Sequence, residues 1–381
     1  MTEISLKATT LDALRNSKNT VFSMFLEPIY KALHIPQDLT YGRSALPYSP
    51  HEQTLHLPPY IHTHHEIPFS SSTSPILSKL KEHFIYYQTY YQTWQLPITI
   101  TKQQRNVDIL FVHGLNDYGG RFSEFSKQIL EKGFRVISID LPSFGRSSGL
   151  HSYIESWQSL VEAIYLVINH VQGQNLTENV DEEEEVVKLR RNRKIILVGG
   201  SLGGMTILCY AIRYPETFDS FVIMAPLIHV HGQSRPGKLL EYLAKFLVKT
   251  PFGRLPLAKA HRGKSSSDPL HDFRFLSDPQ TYHGNLRCAT GLSLLAGTEW
   301  LQSNLGEIRK PFLTLHGTND RVCHMRGSKE LISRSQTPED QKFIILYDYC
   351  EHDMLRDLGS GKKVLGDMID WFVKRDVGLV N

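Results

Sequence analysis

The sequence is poor in cysteine, and its few cysteines are scattered. The four among 381 residues are Cys209, Cys288, Cys323 and Cys350, and no two form a Cys-x-x-Cys pair. In a chain of this length, isolated cysteines indicate reduced thiols rather than a disulfide framework. The fold must therefore be held by a hydrophobic core, which a chain this long can supply.

The chain also lacks an excess of charge of either sign and lacks a long apolar run. Its formal net charge is +3, so no basic field argues for a nucleic-acid partner. No segment approaches the roughly 18 apolar residues that span a bilayer. The nearest, residues 20–35, contains Glu27, Pro28 and Lys31. The N-terminus lacks the apolar stretch of a secretory signal, and we expect a cytoplasmic protein.

Two regions differ in composition. Residues 1–83 are rich in Pro, Ser and His and predict an N-terminal extension that is partly irregular. From residue 84 onward, short apolar runs alternate with amphipathic stretches, and the runs are VDILFV, RVISID, KIILVGG, SFVIMAP, PFLTLHG and FIILYD. Continuous apolar runs favour strands buried on both faces, as in a parallel sheet. The sequence thus predicts an α/β fold with a mostly parallel central sheet flanked by helices.

Two segments interrupt this alternation. Residues 171–194 carry an acidic and then a basic block, which predicts a solvated loop. Residues 227–310 are too many for one crossover helix, and within them 237–250 has the apolar spacing of a helix. We expect 227–310 to form a helical cap between the core segments 84–226 and 311–381, above the C-terminal ends of the strands. His229 and His231 are expected to line a pocket where this cap begins.

The stretch VGGSLGGM, residues 198–205, joins a predicted strand to a predicted helix and reads Gly199-x-Ser201-x-Gly203. A strand, this pattern and then a helix are typical of a nucleophile elbow, a sharp turn that presents the serine Oγ at a helix N-terminus. Such a turn needs small residues on both sides of the serine. No Lys-Ser/Thr pair follows the glycines, which argues against a phosphate-binding loop.

A serine hydroxyl needs a base and a carboxylate, and this arrangement places the acid and then the histidine later in the chain. Asp320 follows the predicted strand PFLTLHG, and His352 follows FIILYD. The other histidine beyond the acid, His324, lies only four residues from it and is expected to pack or face solvent. Asp348 and Asp353 are alternative acids, although both are close to His352 in sequence.

An acyl-transfer site also needs hydrogen-bond donors for a developing oxyanion. The loop after DILFV begins His113-Gly114-Leu115, and Gly114 allows the backbone to approach a carbonyl group. We expect the backbone N–H groups of Leu115 and Leu202, the latter directly after Ser201, to form the oxyanion hole. His113 is expected to brace this loop.

These motifs resemble those of the α/β-hydrolases in the monoacylglycerol lipase group, which also includes lysophospholipase-like, caffeoylshikimate esterase-like and serine aminopeptidase-type hydrolases. The resemblance covers roughly residues 84–375 and does not extend to the first 80 residues. It implies a serine esterase in which Ser201 is the nucleophile, His352 the general base and then acid, and Asp320 the residue that orients His352. It also implies an apolar acyl channel beneath the cap and no cofactor. The matching stretches are HGLNDYGGRF, IDLPSFGRSSG, GGSLGG, APL, DPL, HGTNDRVC and EHDML.

Four positions bear on the substrate in the light of this resemblance. Asp117 stands where the family usually has glutamate, and Arg121 is kept, so both are expected to contact substrate. Gly200 replaces the histidine that usually precedes the nucleophile. Leu355 stands where some members carry a histidine that contacts glycerol.

The expected activity is hydrolysis of monoacylglycerol or a similar single-chain lipid ester. The same triad would serve a lysophospholipase, an acyltransferase, or a thioester or amide hydrolase, and a non-catalytic binding module is a further alternative. The extension is expected either to cover the pocket or to contact a membrane or lipid droplet. No metal is expected, because the histidine-rich stretch lacks the spacing of a zinc site and is interpreted as a polar surface loop. That stretch contains His51, His56, His62, His64, His65 and Glu66.

Overall fold

The computed structural model describes residues 3–33, 35, 37–69, 87–97, 99–100, 104–177, 193–230, 238–257, 263, 265–266 and 268–376. Within them, eight strands form one sheet. The strands are Ile61–Phe69 (β1), Tyr87–Gln95 (β2), Val107–Val112 (β3), Arg135–Ile139 (β4), Lys194–Gly200 (β5), Ser220–Met224 (β6), Phe312–Gly317 (β7) and Lys342–Tyr347 (β8).

The strand order across the sheet is β1-β2-β4-β3-β5-β6-β7-β8. β1 pairs with β2, and β2 with β4, in antiparallel fashion, and all the other neighbours are parallel. The C-terminal ends of β3 and β5 to β8 therefore meet at one edge of the sheet, which is where the predicted site residues follow their strands. The prediction of a mostly parallel sheet is confirmed.

Helices cover both faces of this sheet. Their bounds are Glu3–Val21 (α1), Glu27–Ala32 (α2), Pro50–Leu55 (α3), Ser123–Glu131 (α4), Trp157–Thr177 (α5), Leu202–Arg213 (α6), Lys238–Leu247 (α7), Pro269–Ser277 (α8), Cys288–Asn304 (α9), Arg326–Arg334 (α10) and Gly361–Asp376 (α11). A five-residue π-helical turn, Phe22–Leu26, joins α1 to α2. Because α1 and α2 follow each other through this turn, they form one nearly continuous helical segment.

The core lies in two layers, one on each face of the sheet. Side chains of α5, α6, α9 and α10 pack on one face, and side chains of α4 and α11 pack on the other. All six residues of β3 are buried, as expected for a strand covered on both sides. Fully burying a large apolar side chain contributes about 1.5–3 kcal/mol, so these two layers dominate the stability of the fold.

The last strand departs from the prediction of strands buried on both faces. β8 is an edge strand, and Phe343 and Leu346 are 42 % and 40 % exposed. The apolar run FIILYD reads like an interior strand, but no described strand lies beyond it. An apolar run therefore indicated a strand here without indicating its place in the sheet.

The extension is more regular than its composition predicts. It contains α1, the π-helical turn, α2 and α3, and it adds β1 to the edge of the sheet. The interpretation of the histidine-rich stretch as a loop is wrong, because His62, His64 and His65 lie in β1. Pairing with β2 supplies the backbone hydrogen bonds of this strand, and local composition does not reveal such a partner. The predicted boundary at 83–84 falls outside the described residues.

Among the described residues, α7 to α9 lie between β6 and β7, in the segment predicted to form a cap, and we call them the cap. The helix predicted over 237–250 spans Lys238–Leu247. Phe246 belongs to the apolar spacing that predicts this helix, yet it is 68 % exposed. Of the predicted loop 171–194, the first seven residues belong to α5, and residues 178–192 lie outside the described part of the chain. Among the described helices, none has the length and apolar content needed to cross a membrane.

Candidate active site

Ser201 occupies a strained turn between β5 and α6. Its backbone has φ 53° and ψ −117°. Residues other than glycine rarely adopt this conformation, which costs about 1–3 kcal/mol. Its N–H donates to the carbonyl of Met224 at 3.0 Å, and its own carbonyl accepts from Leu227 at 3.0 Å. The turn is thus held from β6, and the strain is compensated by the surrounding structure.

The glycines around the serine do not have the same role. A Cβ at Gly199 would lie 2.8 Å from the backbone of Gly203, and a Cβ at Gly203 would overlap the carbonyl oxygen of Val112. Both positions therefore require glycine for close approach of backbone. A Cβ at Gly200 would meet nothing nearer than 3.5 Å, which is ordinary contact. Gly200 lines the cavity described below, so its missing side chain leaves space there.

Asp320 and His352 form a hydrogen-bonded pair at the ends of β7 and β8. His352 Nδ1 lies 2.8 Å from Asp320 Oδ2. The other carboxylate oxygen, Oδ1, accepts from the backbone N–H groups of Val322 at 2.7 Å and Cys323 at 3.0 Å. The Asp320 side chain is 1 % exposed. The carboxylate is therefore fixed in orientation, and it leaves Nε2 of His352 as the ring nitrogen free of this pairing.

The electrostatics of this pair favour the charged forms of both groups. Burial alone would raise the pKa of Asp320, but the charge of His352 and hydrogen bonds from His316 and His352 hold that pKa well below its ordinary value. Burial lowers the pKa of His352, yet the charge and hydrogen bond of Asp320 outweigh it, so the pKa of His352 is raised. Asp353 adds to that increase and His271 opposes it.

A thiol lies beside the serine. Ser201 Oγ is 4.0 Å from Cys323 Sγ. In the part of the chain that the structure describes, one group of potential metal ligands is close enough to share an ion, and it consists of Asp320, Cys323 and His352. Burial raises the pKa of the Cys323 thiol well above its usual range. Since metals bind the thiolate, this protonated thiol is a poor ligand and an inert neighbour.

The loop after β3 approaches the serine closely. A Cβ at Gly114 would lie 3.6 Å from Cβ of Ser201. Neither the backbone N–H of Leu115 nor that of Leu202 has a hydrogen-bond acceptor among the described residues. His113 is fully buried, with Nδ1 2.7 Å from the carbonyl oxygen of Gly114 and Nε2 accepting from the N–H of Leu141 at 2.9 Å. His113 therefore braces this loop, as predicted.

Ser201, His352 and the loop after β3 line one cavity of about 360 Å³. This volume lies in the range of small-molecule sites. Most of its wall is apolar and comes from the cap and the ends of the strands, with Met224, Leu227, Val230, Phe275, Leu276, Leu286, Leu294, Leu295 and Val322. The serine thus faces an apolar space in which an alkyl chain would be sheltered from water.

One side of the cavity is polar. Asp117 and Arg121 both line it and form an ion pair, with Arg121 Nη1 3.2 Å from Asp117 Oδ2. His271 from α8 lines the same side, and its Nε2 lies 2.9 Å from Asp353 Oδ2. Asp353 raises the pKa of His271 against the opposing effect of burial. Asp353 is therefore engaged with the cap histidine and does not act as the partner of His352.

Some predicted residues lie elsewhere. His229 is paired with Glu330, with Nε2 2.8 Å from Oε2, and does not line the cavity; the neighbouring Val230 does. His231 lies outside the described residues. His324 begins the turn before α10 and faces solvent, as expected. His56 and His62 both contact the Oε1 atom of Gln92, at 3.3 and 3.2 Å, in a cluster away from the cavity.

Sequence reasoning missed several residues of the site. His271 and His283 line the cavity from the cap, and Cys323 lies beside the serine. His283 is also 3.4 Å from Asp12 of α1, which brings the extension to the cavity wall. His316 and Cys323 stand within the quoted motif HGTNDRVC and could have been noticed there. His271 and His283 of the cap belong to no sequence motif or periodic pattern from which their place in the cavity could be predicted.

A family model described as serine aminopeptidase, S33, matches residues 103–359. The chain is 24 % identical over 265 residues to a monoacylglycerol lipase from Mycolicibacterium smegmatis, covering 70 % of this chain and 87 % of that one. It is 27 % identical over 265 residues to a caffeoylshikimate esterase from Arabidopsis thaliana, covering 68 % and 75 %. The family match begins at residue 103, beyond the extension.

Among solved structures, the chain is similar to a monoacylglycerol lipase from Paleococcus ferrophilus. The TM-score is 0.60 at 24 % sequence identity, and the match covers 71 % of this chain and 96 % of the other. Together with the strand order, this likeness shows the predicted α/β-hydrolase fold, with its helices flanking a mostly parallel sheet.

Proposed function

This chain belongs to the serine aminopeptidase S33 family of α/β-hydrolases, whose model matches more than half of it, and from that premise we propose that it is a serine esterase acting on single-chain lipid esters. The observation that carries the proposal is the position of Ser201. This serine sits on a strained elbow and lines the same apolar cavity as His352, which is paired with a buried Asp320. The monoacylglycerol lipases among its relatives support the same class of substrate.

Ser201 is the proposed nucleophile and His352 its general base. Asp320 holds Nδ1 of the imidazole, so that Nε2 accepts the proton from the serine hydroxyl as the oxygen attacks the acyl carbonyl. The raised pKa of His352 fits this role, because a stronger base accepts the proton more readily. Asp320 stays ionised and stabilises the imidazolium that forms.

The tetrahedral intermediate needs donors for its oxyanion. We assign them to the backbone N–H groups of Leu115 and Leu202, which have no other acceptor among the described residues. One such donor typically contributes about 3 kcal/mol to transition-state stability. The alcohol then leaves with the proton from His352, and water repeats the sequence on the acyl-enzyme. These steps need no metal or organic cofactor.

The proposed substrate has an alkyl chain and a polar alcohol. The apolar wall of the cavity fits the chain, and the side that carries Asp117, Arg121 and His271 fits the hydroxyl groups of the leaving alcohol. Monoacylglycerols have both parts. A lysophospholipid shares them and differs by its phosphate, so a panel of substrates separates the two.

Contact with a lipid surface would bring such a substrate to the cavity. Tyr242 and Phe246 of α7 are 73 % and 68 % exposed, and Phe252 in the turn after α7 is 45 % exposed. Phe25 of the extension, 53 % exposed, lies in the π-helical turn that packs against that same region of the cap. We propose that these aromatic residues meet the surface of a membrane or lipid droplet, which co-sedimentation with phosphatidylcholine vesicles would test.

A fluorophosphonate probe tests the nucleophile. The wild type is expected to be labelled, and Ser201→Ala to be unlabelled and inactive on monoacylglycerol. Cys323→Ala is the matched control, since it removes the thiol that lies 4.0 Å from Ser201 Oγ and should keep the label. Equal labelling of Ser201→Ala and wild type would refute the assignment. Assays with glycerol esters, lysophospholipids, thioesters and aromatic esters then define the preferred substrate. The same assays with an alcohol acceptor present distinguish hydrolysis from acyl transfer.

A further inference from the structure

The loop between β4 and α5 is held in an unusual backbone conformation beneath the surface. Residues 143–152, here called the serine loop, include Ser143 at φ 73°, Gly149 at φ 115° and Ser152 at φ 58°. Ser143 is 6 % and Ser152 0 % exposed. A left-handed residue other than glycine costs about 1–2 kcal/mol, so the surrounding contacts must hold the loop in place.

One end of the serine loop touches the proposed oxyanion hole. The hydroxyl of Ser152 donates to Asn116 Oδ1 at 2.8 Å. Asn116 directly follows Leu115, and its own backbone is left-handed at φ 65°. The N–H of Tyr282 in the cap donates to the carbonyl of Asn116 at 2.9 Å. The conformation of the residue next to Leu115 is thus set by two contacts, one from the serine loop and one from the cap.

The middle of the serine loop is held by the extension. Arg43, 1 % exposed, donates Nε to the carbonyl of Gly145 at 2.8 Å. Its Nη2 donates to the carbonyls of Ser147 at 2.6 Å and Gly149 at 2.9 Å. The N–H of Gly149 donates to the carbonyl of Leu39 at 2.7 Å. One buried side chain of the extension therefore binds three backbone carbonyls of the loop.

A second attachment runs from α1 through the cap. Arg287, fully buried, donates Nε to the carbonyl of His151 at 2.8 Å and Nη1 to the hydroxyl of Thr20 at 2.9 Å. Thr20 lies in α1 and is 3 % exposed. This guanidinium connects α1 to the residue that precedes Ser152. Three hydrogen bonds, linked through Arg287 and the His151–Ser152 peptide, thus connect Thr20 to Asn116.

Thr20 and Arg43 both precede residue 103, where the family match begins. Buried guanidinium groups are costly to desolvate unless their donors find acceptors. Two nitrogens of Arg43 donate to three carbonyls of the serine loop. Arg287 donates to one carbonyl of that loop, to the Thr20 hydroxyl and to the carbonyl of Arg254. We infer that Thr20 and Arg43 of the extension are positioning residues, which hold the serine loop so that Ser152 and Asn116 orient the Leu115 N–H toward the oxyanion. This inference rests on the proposed esterase function.

Two small substitutions break this connection at its ends. Thr20→Val keeps the shape of the side chain and removes the hydroxyl that accepts from Arg287 Nη1, which keeps the carbonyl of Arg254 at 2.7 Å as its other acceptor. Ser152→Ala removes the donor to Asn116. The matched controls are Thr337→Val and Ser126→Ala. Thr337 is 2 % exposed and donates to the carbonyl of Lys310, and Ser126 is 0 % exposed and donates to the carbonyl of Phe122.

The readout separates transition-state from ground-state binding. An alkyl trifluoromethyl ketone adds to the serine and places an oxyanion in the hole, whereas the fatty amide of the same chain length binds without one. Each positioning variant should lower kcat about tenfold and weaken binding of the ketone by the same factor. KM and the affinity for the amide should change less than twofold. This is smaller than the 10²–10³-fold loss typical when an oxyanion donor is removed outright.

The double variant tests whether both residues act on one connection. Once Ser152→Ala has released Asn116, Thr20→Val should add little, so the two losses in kcat should be less than additive. Additive losses, or a ketone affinity that falls no more than the amide affinity, would overturn the inference. The same holds if the controls lose as much kcat as the positioning variants at matched melting temperatures.

Measurements on the wild type distinguish a failure of this inference from a failure of the proposed esterase function. A wild type that is neither labelled by fluorophosphonate nor active on esters overturns both. An active wild type whose kcat and ketone affinity are untouched by Thr20→Val and Ser152→Ala overturns the positioning role alone.

Discussion

His316 Nε2 lies 3.3 Å from Asp320 Oδ2, the same oxygen that is paired with His352 Nδ1. Two imidazoles thus share one carboxylate oxygen. His316 is fully buried, and its Nδ1 lies 2.8 Å from Ser328 Oγ, so its ring is fixed from the other side. Asp320 is held in place by a residue that does not reach the cavity.

Removing this second imidazole should weaken the support of Asp320. A hydrogen bond to a charged group contributes about 1.5–3 kcal/mol, so His316→Leu should lower kcat by about tenfold and reduce the melting temperature. Asp320→Asn should cost far more, about 10⁴-fold, as loss of the charge in such a triad does. Steady-state kinetics on one ester compare the two, and equal losses would contradict a supporting role for His316.

The glycines of the elbow should differ sharply in tolerance. A Cβ at Gly203 would overlap the carbonyl of Val112, so Gly203→Ala should lower the free energy of unfolding by at least about 3 kcal/mol. A Cβ at Gly200 has room, so Gly200→Ala should change stability by less than about 1 kcal/mol. Urea denaturation measures both. The prediction fails if Gly200→Ala is the more damaging of the two.

Gly200→Ala should nevertheless change the reaction, since Gly200 lines the cavity next to the serine. A methyl group there narrows the space for the acyl chain. We expect a shift in chain-length preference at nearly constant stability, measured as kcat/KM over a series of monoacylglycerols.

The pH dependence should follow His352. This residue acts as a base only when neutral, and its pKa is raised above the ordinary 6.5. The ratio kcat/KM should therefore rise with pH through an apparent pKa above 6.5. The positive charge of His271 lowers the pKa of His352, so His271→Gln should move the rise to higher pH. His170→Gln, on α5 away from the cavity, should leave it unchanged, and a shift of His271→Gln to lower pH would contradict this reasoning.

Arg121 should act on the alcohol part of the substrate. Its guanidinium lines the polar side of the cavity beside Asp117. Loss of a charged hydrogen bond to a glycerol hydroxyl costs about 1.5 kcal/mol or more, so Arg121→Gln should raise KM for a monoacylglycerol about tenfold. The ethyl ester of the same fatty acid offers no hydroxyl, and its KM should hardly change. An equal rise for both esters would place the effect on the acyl chain.

The proximity of Ser201, Asp320 and His352 could be predicted from sequence because each follows an apolar run. Parallel strands end at one edge, so residues just after them converge there. The brace at His113 was predictable for the same reason. None of this reasoning needed the details of the cap.

The contacts that involve Thr20, Arg43 and His271 could not be predicted in this way. Their partners lie tens to hundreds of positions away, as with Thr20 and Arg287, and no periodicity links them. The strand β1 was missed because its backbone bonds depend on β2 and not on its own composition. Local pattern identifies elements, whereas pairing between distant segments decides which of them meet.

The position of β1 also decides which strand is exposed at this edge of the sheet. Without it, β2, with the aromatic sequence YQTYYQTWQ, would present a row of unpaired N–H and C=O groups to solvent. An open edge of that kind is a template for strand-to-strand aggregation. β1 covers it and carries exposed polar residues together with Pro68, which has no N–H to offer a further strand. The extension thereby covers the edge of β2, at the side of the sheet remote from β8.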